Sequence, residues 1–230
     1  KISSIFNSEK IKFNKCLIVV DNNVPKKKFF SLKKKIKCKE KFIFFFNASE
    51  KNKSQVTVDK ILRILLKKNF SRNDCIISLG GGITGDISGF VASIYKRGIK
   101  FINIPSTLLA QVDSSIGGKT GINNNYGKNL IGSFYQPDLV ISDTSLLKSL
   151  PKREIVCGYG EILKHALISS INNFNFLNIN KNKILNLSSP FIEKAILDSC
   201  KIKKYVVESD EKEKNYRKVL NFGHTFAHAY

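Results

Sequence analysis

Cys75-Ile76-Ile77-Ser78-Leu79-Gly80-Gly81-Gly82-Ile83-Thr84-Gly85-Asp86 joins a short apolar run to a glycine cluster. The fold follows from how that junction is read. An apolar run of this length, bounded by glycine, is the pattern of a strand buried on both faces. Glycines between a strand and a helix let backbone N–H groups approach a pyrophosphate, and a helix N-terminus favours its charge. The spacing is not G-x-G-x-x-G, so the general dinucleotide fingerprint does not apply, and a plain tight turn fits the same residues.

Working outward, Cys16–Asp21, Phe42–Phe46, Phe101–Ile104 and Leu139–Asp143 carry the same strand signature, and Pro105 ends the third of these. Val56, Ile61, Leu62, Leu65 and Leu66 recur at helical spacing over residues 56–68, and Phe90–Tyr95 reads as helix. Strands alternating with helices predict a parallel sheet covered on both faces. After Pro151 the strand signal stops. Residues 154–171, 190–207 and 216–230 read as helices, and the Asn-rich stretch 172–186 as an exposed connection. The expected architecture is α/β, with a parallel-sheet domain over residues 1–150 and an all-helical domain over residues 151–230.

Composition excludes several classes. The 230 residues, 42% of them hydrophobic, suffice for a substantial core. No apolar run approaches the roughly 18 residues that span a bilayer, and no signal peptide opens the chain, so no membrane partner is expected. Cys16, Cys38, Cys75, Cys157 and Cys200 form no C-x-x-C pair, which argues for reduced thiols and a cytoplasmic setting. The net charge of +21 invites a nucleic-acid reading, yet only five of 39 basic residues are Arg. The dispersed Lys, with abundant Asn and Ile, matches what AT-rich codons encode, so no nucleic-acid partner is expected. The chain has no Met and breaks off at Tyr230 within a helical pattern, so it is expected to be a piece of a longer one.

Three further stretches could carry chemistry. Residues 105–123 and Tyr126–Gly132 crowd Gly, Ser, Thr, Asn and Lys into a loop offering donors to an anion, or simply a polar surface. The three histidines are His165, His224 and His228, and the last two share a helix face at i, i+4. Such a pair binds a metal, divides metal and acid–base roles, or merely packs. Glu161 and Lys164 stand one turn apart, as a surface ion pair or as a carboxylate available to a metal. Residues 200–217, read alone, are a charged amphipathic helix and an acidic turn.

Taken in order, Leu79–Gly98, Pro105–Gly132, Gly158–Leu167 and Lys203–His228 closely resemble 3-dehydroquinate synthase, a family of sugar phosphate cyclases. The resemblance runs from about Asp21 to Tyr230. It implies a Rossmann-like N-terminal domain that binds NAD and a helical, dehydroquinate synthase-like C-terminal domain, here truncated. The implied activity converts 3-deoxy-D-arabino-heptulosonate 7-phosphate to 3-dehydroquinate and phosphate, a shikimate-pathway step, by transient oxidation, phosphate elimination, reduction and aldol closure. By the family's motifs, NAD contacts fall to Asp21, Asn23, Glu50, Lys53, Gly81, Gly82, Asp86, Ser106, Thr107, Lys119, Lys128 and the stretch from Leu146 to Ser149. Glu161 and His224 correspond to two of three ligands of zinc, for which cobalt can substitute; the third, a His, is expected beyond Tyr230. Substrate contacts correspond to Asp113, Lys119, Asn129, Lys164, Lys203, Arg217, Asn221 and His228, with Arg97 reaching in from the other subunit of a homodimer. Of these, Lys119, Asn129, Lys164, Lys203 and Arg217 act in catalysis, and His228 assists proton transfer. Ala48-Ser49-Glu50 stands where the family often has Asp-Gly-Glu, Ser106 where Thr is commoner, and Ala227 where Gly is frequent. Each departure keeps the reactive groups.

Overall fold

Leu17, Ile18, Val19 and Val20 are wholly excluded from solvent, as are Cys75, Ile76, Ile77 and Leu79, so these two runs form the centre of a sheet. The computed structural model describes residues 2–223. In chain order the first elements are α1 (Ile2–Ser8), β1 (Lys15–Asp21), α2 (Lys26–Lys35), β2 (Glu40–Phe46) and α3 (Gln55–Lys67). There follow β3 (Cys75–Gly80), α4 (Gly82–Ile94), β4 (Lys100–Pro105), β5 (Lys119–Asn124), β6 (Gly127–Phe134) and β7 (Leu139–Val140). The helical part comprises α5 (Lys152–Leu167), α6 (Ile171–Leu185) and α7 (Phe191–Ser209).

The described chain falls into two compact units. The first holds the residues up to Ser106 together with Gly118–Ser142; the second holds Thr107–Gly117 and the chain from Asp143 on. Residues 107–117, which a boundary near Leu150 assigns to the sheet domain, thus group with the helices. The reason is packing: Leu108 and Val112 share one buried cluster with Ile155, Ile162, Ala195 and Ile196. Gly158 of α5 makes that approach feasible, since a Cβ there would stand 2.6 Å from Leu108 Cβ and 2.7 Å from the Leu109 nitrogen.

In the first unit the sheet is wholly parallel, in the order β2-β1-β3-β4-β7. The chain turns from one side of the sheet to the other between β1 and β3. In open α/β sheets the crevice at the carboxyl ends of such a pair is where ligands bind. β1 ends at Asp21 and β3 at Gly80.

Three sequence expectations are corrected. α4 begins at Gly82, well before Phe90, because the glycine run supplies its first turn. The polar stretch 119–134 is an antiparallel hairpin, with Thr120 and Ser133 hydroxyls 3.0 Å apart across it. Glycine and asparagine masked its alternation. Residues 171–185 are helix α6, not a connection. Asn is a poor helix former, but Leu177 and Ile184, seven residues apart, bury against the helical core and Ser170 caps the start. The cysteines are also less scattered than their spacing suggests, for Cys16 and Cys38 Sγ lie 3.5 Å apart. Among the described residues no helix is long and apolar enough to cross a membrane.

Candidate functional site

Two groups of the expected residues come together, one in each unit. In the first unit, Asp21 accepts hydrogen bonds from the Asn23 backbone at 3.0 Å and its side chain at 3.1 Å, closing a turn at the tip of β1. A Cβ on Gly80 would lie 3.0 Å from Asp21 Cβ and 2.7 Å from Thr84 Cβ, so the strand end must be glycine. Gly81 caps α4 and Gly82 opens it; both keep some solvent exposure. Ser106, just after β4, donates its backbone N–H to the Gly80 carbonyl at 2.8 Å. The residues at this edge leave a bare backbone and a helix N-terminus beside Asp21, which fits a dinucleotide pyrophosphate.

Close by in sequence, Lys53 is buried and donates to Asp86 Oδ2 and to Asn129 Oδ1, each at 2.5 Å. Asn123 joins this network: its amide donates to Glu50 Oε2 at 2.7 Å, its backbone N–H to the Lys53 carbonyl at 2.8 Å, and its Oδ1 accepts from the Asn129 backbone at 3.0 Å. Lys128 lies 3.9 Å from the Glu50 carboxylate. Glu50, Lys53, Asp86, Lys128 and Asn129 are therefore neighbours, and Asn123 is the member that sequence reasoning missed. Its only signal is its place between the two lysine-bearing runs. Lys119 opens β5 and is exposed, while Arg97 sits exposed in a turn with a left-handed backbone, φ 62°.

In the second unit, Asp113 lies in a π-helical turn, Ala110–Ser114. Lys203 of α7 is buried and donates to Asp113 Oδ1 at 2.5 Å and to the Asp113 carbonyl at 2.6 Å. Burial alone would raise the Asp113 carboxyl, but the Lys203 ammonium outweighs it and holds the group below the ordinary aspartate value. Burial pulls the Lys203 ammonium down despite that partner. Arg217 is buried too, its guanidinium donating to the Glu211 carbonyl at 2.5 Å and the Gly117 carbonyl at 3.1 Å. Gly117, at φ 103°, leaves the room that the guanidinium fills. Asp210 shapes the turn before Arg217 by accepting from the backbone of Lys214, Asn215 and Arg217 at 3.0, 2.7 and 3.1 Å. Asn221 donates to Glu213 at 3.3 Å. Thr107, Leu146 and Ser149 belong to this unit, with Thr107 Oγ1 capping the Ala110 N–H at 3.1 Å and Leu146 buried.

One helix, α5, presents Glu161 and Lys164 as a contacting ion pair, with Lys164 buried. The next residue, His165, is fully buried, and its Nδ1 stands 2.5 Å from Ser199 Oγ of α7. Asp113, Glu161 and His165 each bring one potential metal-ligating atom within 4.8 Å of the others. Two carboxylates and an imidazole are a donor set suited to zinc or cobalt, so the residues present fit a divalent ion. His224 and His228 lie outside the described residues. Sequence reasoning gave His165 no role; its signal was its position four residues after Glu161, on the same helical face.

Burial pushes the His165 imidazole down to about 4 from an ordinary 6.5, against the pull of Asp113. A histidine whose folded value is depressed is neutral in the native state while the unfolded chain takes up a proton. Its contribution to stability is therefore intact above pH 6.5 and is lost as pH falls towards 4. In chelator-treated protein, urea titrations should show stability falling by about 3 kcal/mol more over that interval than in His165→Gln. Equal pH dependence in the two proteins would contradict the assignment.

The chain is similar to known proteins along most of its length. Residues 43–157 match the family described as 3-dehydroquinate synthase N-terminal, and residues 158–230 match 3-dehydroquinate synthase C-terminal. The 3-dehydroquinate synthase of Pelagibacter ubique (strain HTCC1062) is 63% identical over 230 residues, all of this chain and 62% of that protein. The chain thus spans about three fifths of that relative's length. Among solved structures, 2-deoxy-scyllo-inosose synthase, complexed with carbaglucose-6-phosphate, NAD+ and Co2+, superposes with a TM-score of 0.89 at 28% identity, over 99% of this chain and 63% of the other. ValA, a 2-epi-5-epi-valiolone synthase from Streptomyces hygroscopicus subsp. jinggangensis 5008 with NAD+ and Zn2+ bound, gives 0.86 at 26% identity, over 93% and 61%. A parallel sheet with its glycine turn at the switch point, helices carrying Glu161, Lys164 and Lys203, and two adjoining family matches that run from residue 43 to the last residue all lead to one assignment: this chain belongs to the 3-dehydroquinate synthase family.

Proposed function

We propose that the protein converts 3-deoxy-D-arabino-heptulosonate 7-phosphate to 3-dehydroquinate and phosphate, using NAD that is regenerated each cycle and a divalent metal that is not consumed. The observation that carries this reading is the set of buried cations in the helical unit: Lys164, Lys203 and Arg217 each hold charge away from water. Burying three cations is costly unless anions offset them. Glu161 and Asp113 offset part of that cost for Lys164 and Lys203, and a substrate carrying both a phosphate and a carboxylate adds anions that Arg and Lys clamps orient. The functional division falls near Leu150, with the nucleotide side mostly before it and the metal side after, Asp113 excepted.

When bound, NAD supplies a transient hydride acceptor and the divalent ion an electrophile for the substrate hydroxyl. On the nucleotide side, Gly81 and Gly82 offer backbone N–H groups to the pyrophosphate, and Asp21 with Asn23 borders it. Glu50, Lys53, Asp86, Ser106, Thr107, Lys119, Lys128, Leu146 and Ser149 complete the contacts assigned by family motif. The Lys53 ammonium orients Asp86 and Asn129 through the two bonds it donates. On the metal side Glu161 contributes one ligand, and His224 a second. Lys164 stays beside Glu161, its ammonium in contact with that carboxylate. Lys203, fixed by Asp113, is assigned to the substrate's anionic groups by family motif, as are Arg217 and Asn221; the same motifs assign substrate contacts to Lys119 and Asn129. His228 carries the proton. A homodimer brings Arg97 to the other subunit's substrate, a role that its exposed turn permits.

The nearest alternative chemistry is that of cyclases whose sugar phosphates lack a carboxylate. The discriminating experiment offers the full-length protein the seven-carbon carboxylated substrate and sedoheptulose 7-phosphate side by side. Phosphate release from the first at much higher kcat/KM is expected; a preference for the second overturns the proposal.

A further inference from the structure

On the proposed reading of α5, Glu161 and Lys164 have roles and His165 has none, although it is the most deeply buried of the three. Its Nδ1 is engaged by Ser199 Oγ at 2.5 Å. Among the described residues its Nε2 is buried without a hydrogen-bond partner. An orphan nitrogen of that kind costs stability, and an apolar ring would fill the space without it. One ring nitrogen also lies within 4.8 Å of carboxylate oxygens from both Asp113 and Glu161. The other charges that face the ring are Lys164 of its own helix and Lys203 of α7.

We infer that His165 is a positioning residue for Glu161. Ser199 donates its hydroxyl proton to Nδ1, which leaves the ring proton on Nε2 and directs it at the carboxylate pair. The imidazole, one nitrogen of which lies within 4.8 Å of that carboxylate, thereby biases the orientation in which Glu161 receives a divalent ion, as groups beside metal-ligating carboxylates do generally. This inference rests on the proposed metal role of Glu161 and deepens it. It gives Ser199, whose hydroxyl stands against Nδ1, a part in metal affinity.

The test is a Co2+ titration of the full-length protein, read as a dissociation constant and as the visible absorption spectrum of the bound ion. His165→Phe should weaken Co2+ binding by about 10–100-fold and alter the spectrum, while the chelator-treated variant still unfolds cooperatively. His165→Gln, which restores an N–H donor near the Nε2 position, should recover most of the affinity, a rescue that a merely structural role would not give. Ser199→Ala should weaken binding by a smaller factor. Wild-type affinity and spectrum in His165→Phe overturn the inference, as does a His165→Gln variant as weak as His165→Phe. Should His165→Phe not fold, unchanged Co2+ binding in Ser199→Ala overturns it instead. Glu161→Gln separates the two levels of argument: if it binds Co2+ like wild type, the metal reading and this inference both fall, whereas unchanged binding in His165→Phe alone removes only the inference.

Discussion

Glu161→Gln in the full-length protein is expected to lower affinity for Zn2+ or Co2+ by at least about 100-fold, beyond the loss typical of an outer-shell partner, and to abolish measurable turnover. The substitution keeps the size of the side chain and removes its charge, so the loss reports on ligation more than on packing. It also strips the buried Lys164 ammonium of its contacting carboxylate. Some stability is therefore lost as well, about 1–3 kcal/mol, because a buried charge without its partner keeps its desolvation cost. The double variant Glu161→Gln/Lys164→Met should recover part of that stability and none of the metal affinity. Equilibrium dialysis and urea unfolding separate the two effects. A Glu161→Gln protein that holds metal as tightly as wild type would remove Glu161 from the ligand set.

The second large effect is at Lys203. Its ammonium makes two bonds to Asp113, one to the carboxylate and one to the backbone carbonyl, at 2.5 and 2.6 Å. Lys203→Met fills the same volume and leaves the carboxylate without its cation. The cost should be about 2–3 kcal/mol, less than for a fully buried pair because the Asp113 side chain keeps 30% of its exposure. Adding Asp113→Asn removes the stranded charge, so the double variant should be more stable than Lys203→Met alone, and the cycle gives the coupling directly. The pH dependence reverses in a diagnostic way. In the wild type the Asp113 carboxyl lies below its ordinary value, so its contribution is present above pH 3.8 and is lost only as pH falls through the lowered value. Without Lys203, burial is the dominant influence and the carboxyl rises, so Lys203→Met should begin to take up its proton at higher pH. The kcat/KM of this variant should drop by roughly 100-fold or more, since the role proposed for Lys203 is that of a fixed cation for substrate charge.

These effects depend on residues that differ in how legible they were. The strands announced themselves because both faces are covered: Leu17–Val20 and Ile76–Leu79 have no polar alternation to confuse them. The glycine turn was equally readable, since only glycine fits at Gly80 beside Asp21 and Thr84. The hairpin of β5 and β6 was hidden by composition. Gly121 and Gly132 face each other across it, where side chains would clash, so the usual β-branched signal is missing. Helix α6 was hidden by asparagine, and tertiary burial of Leu177 and Ile184 overrides the weak propensity. The placement of Thr107–Gly117 with the helices could not be read locally, for it arises from long-range packing of Leu108 and Val112. In the candidate site, motif resemblance singled out Glu161, Lys164, Lys203 and Arg217. The hydrogen bonds that fix them, to Asp113, Gly117 and Glu211, join residues far apart in sequence or in irregular turns. His165 and Ser199 carry no motif at all, and only their packing across α5 and α7 pairs them.

Phosphate and NADH can be followed together in one reaction of the full-length protein with NAD, zinc and 3-deoxy-D-arabino-heptulosonate 7-phosphate. One phosphate released for each 3-dehydroquinate formed, over many turnovers, with no net rise in NADH absorbance, is the expected result of the proposed cycle. NADH accumulating in step with product, or substrate consumed without phosphate release, would contradict it.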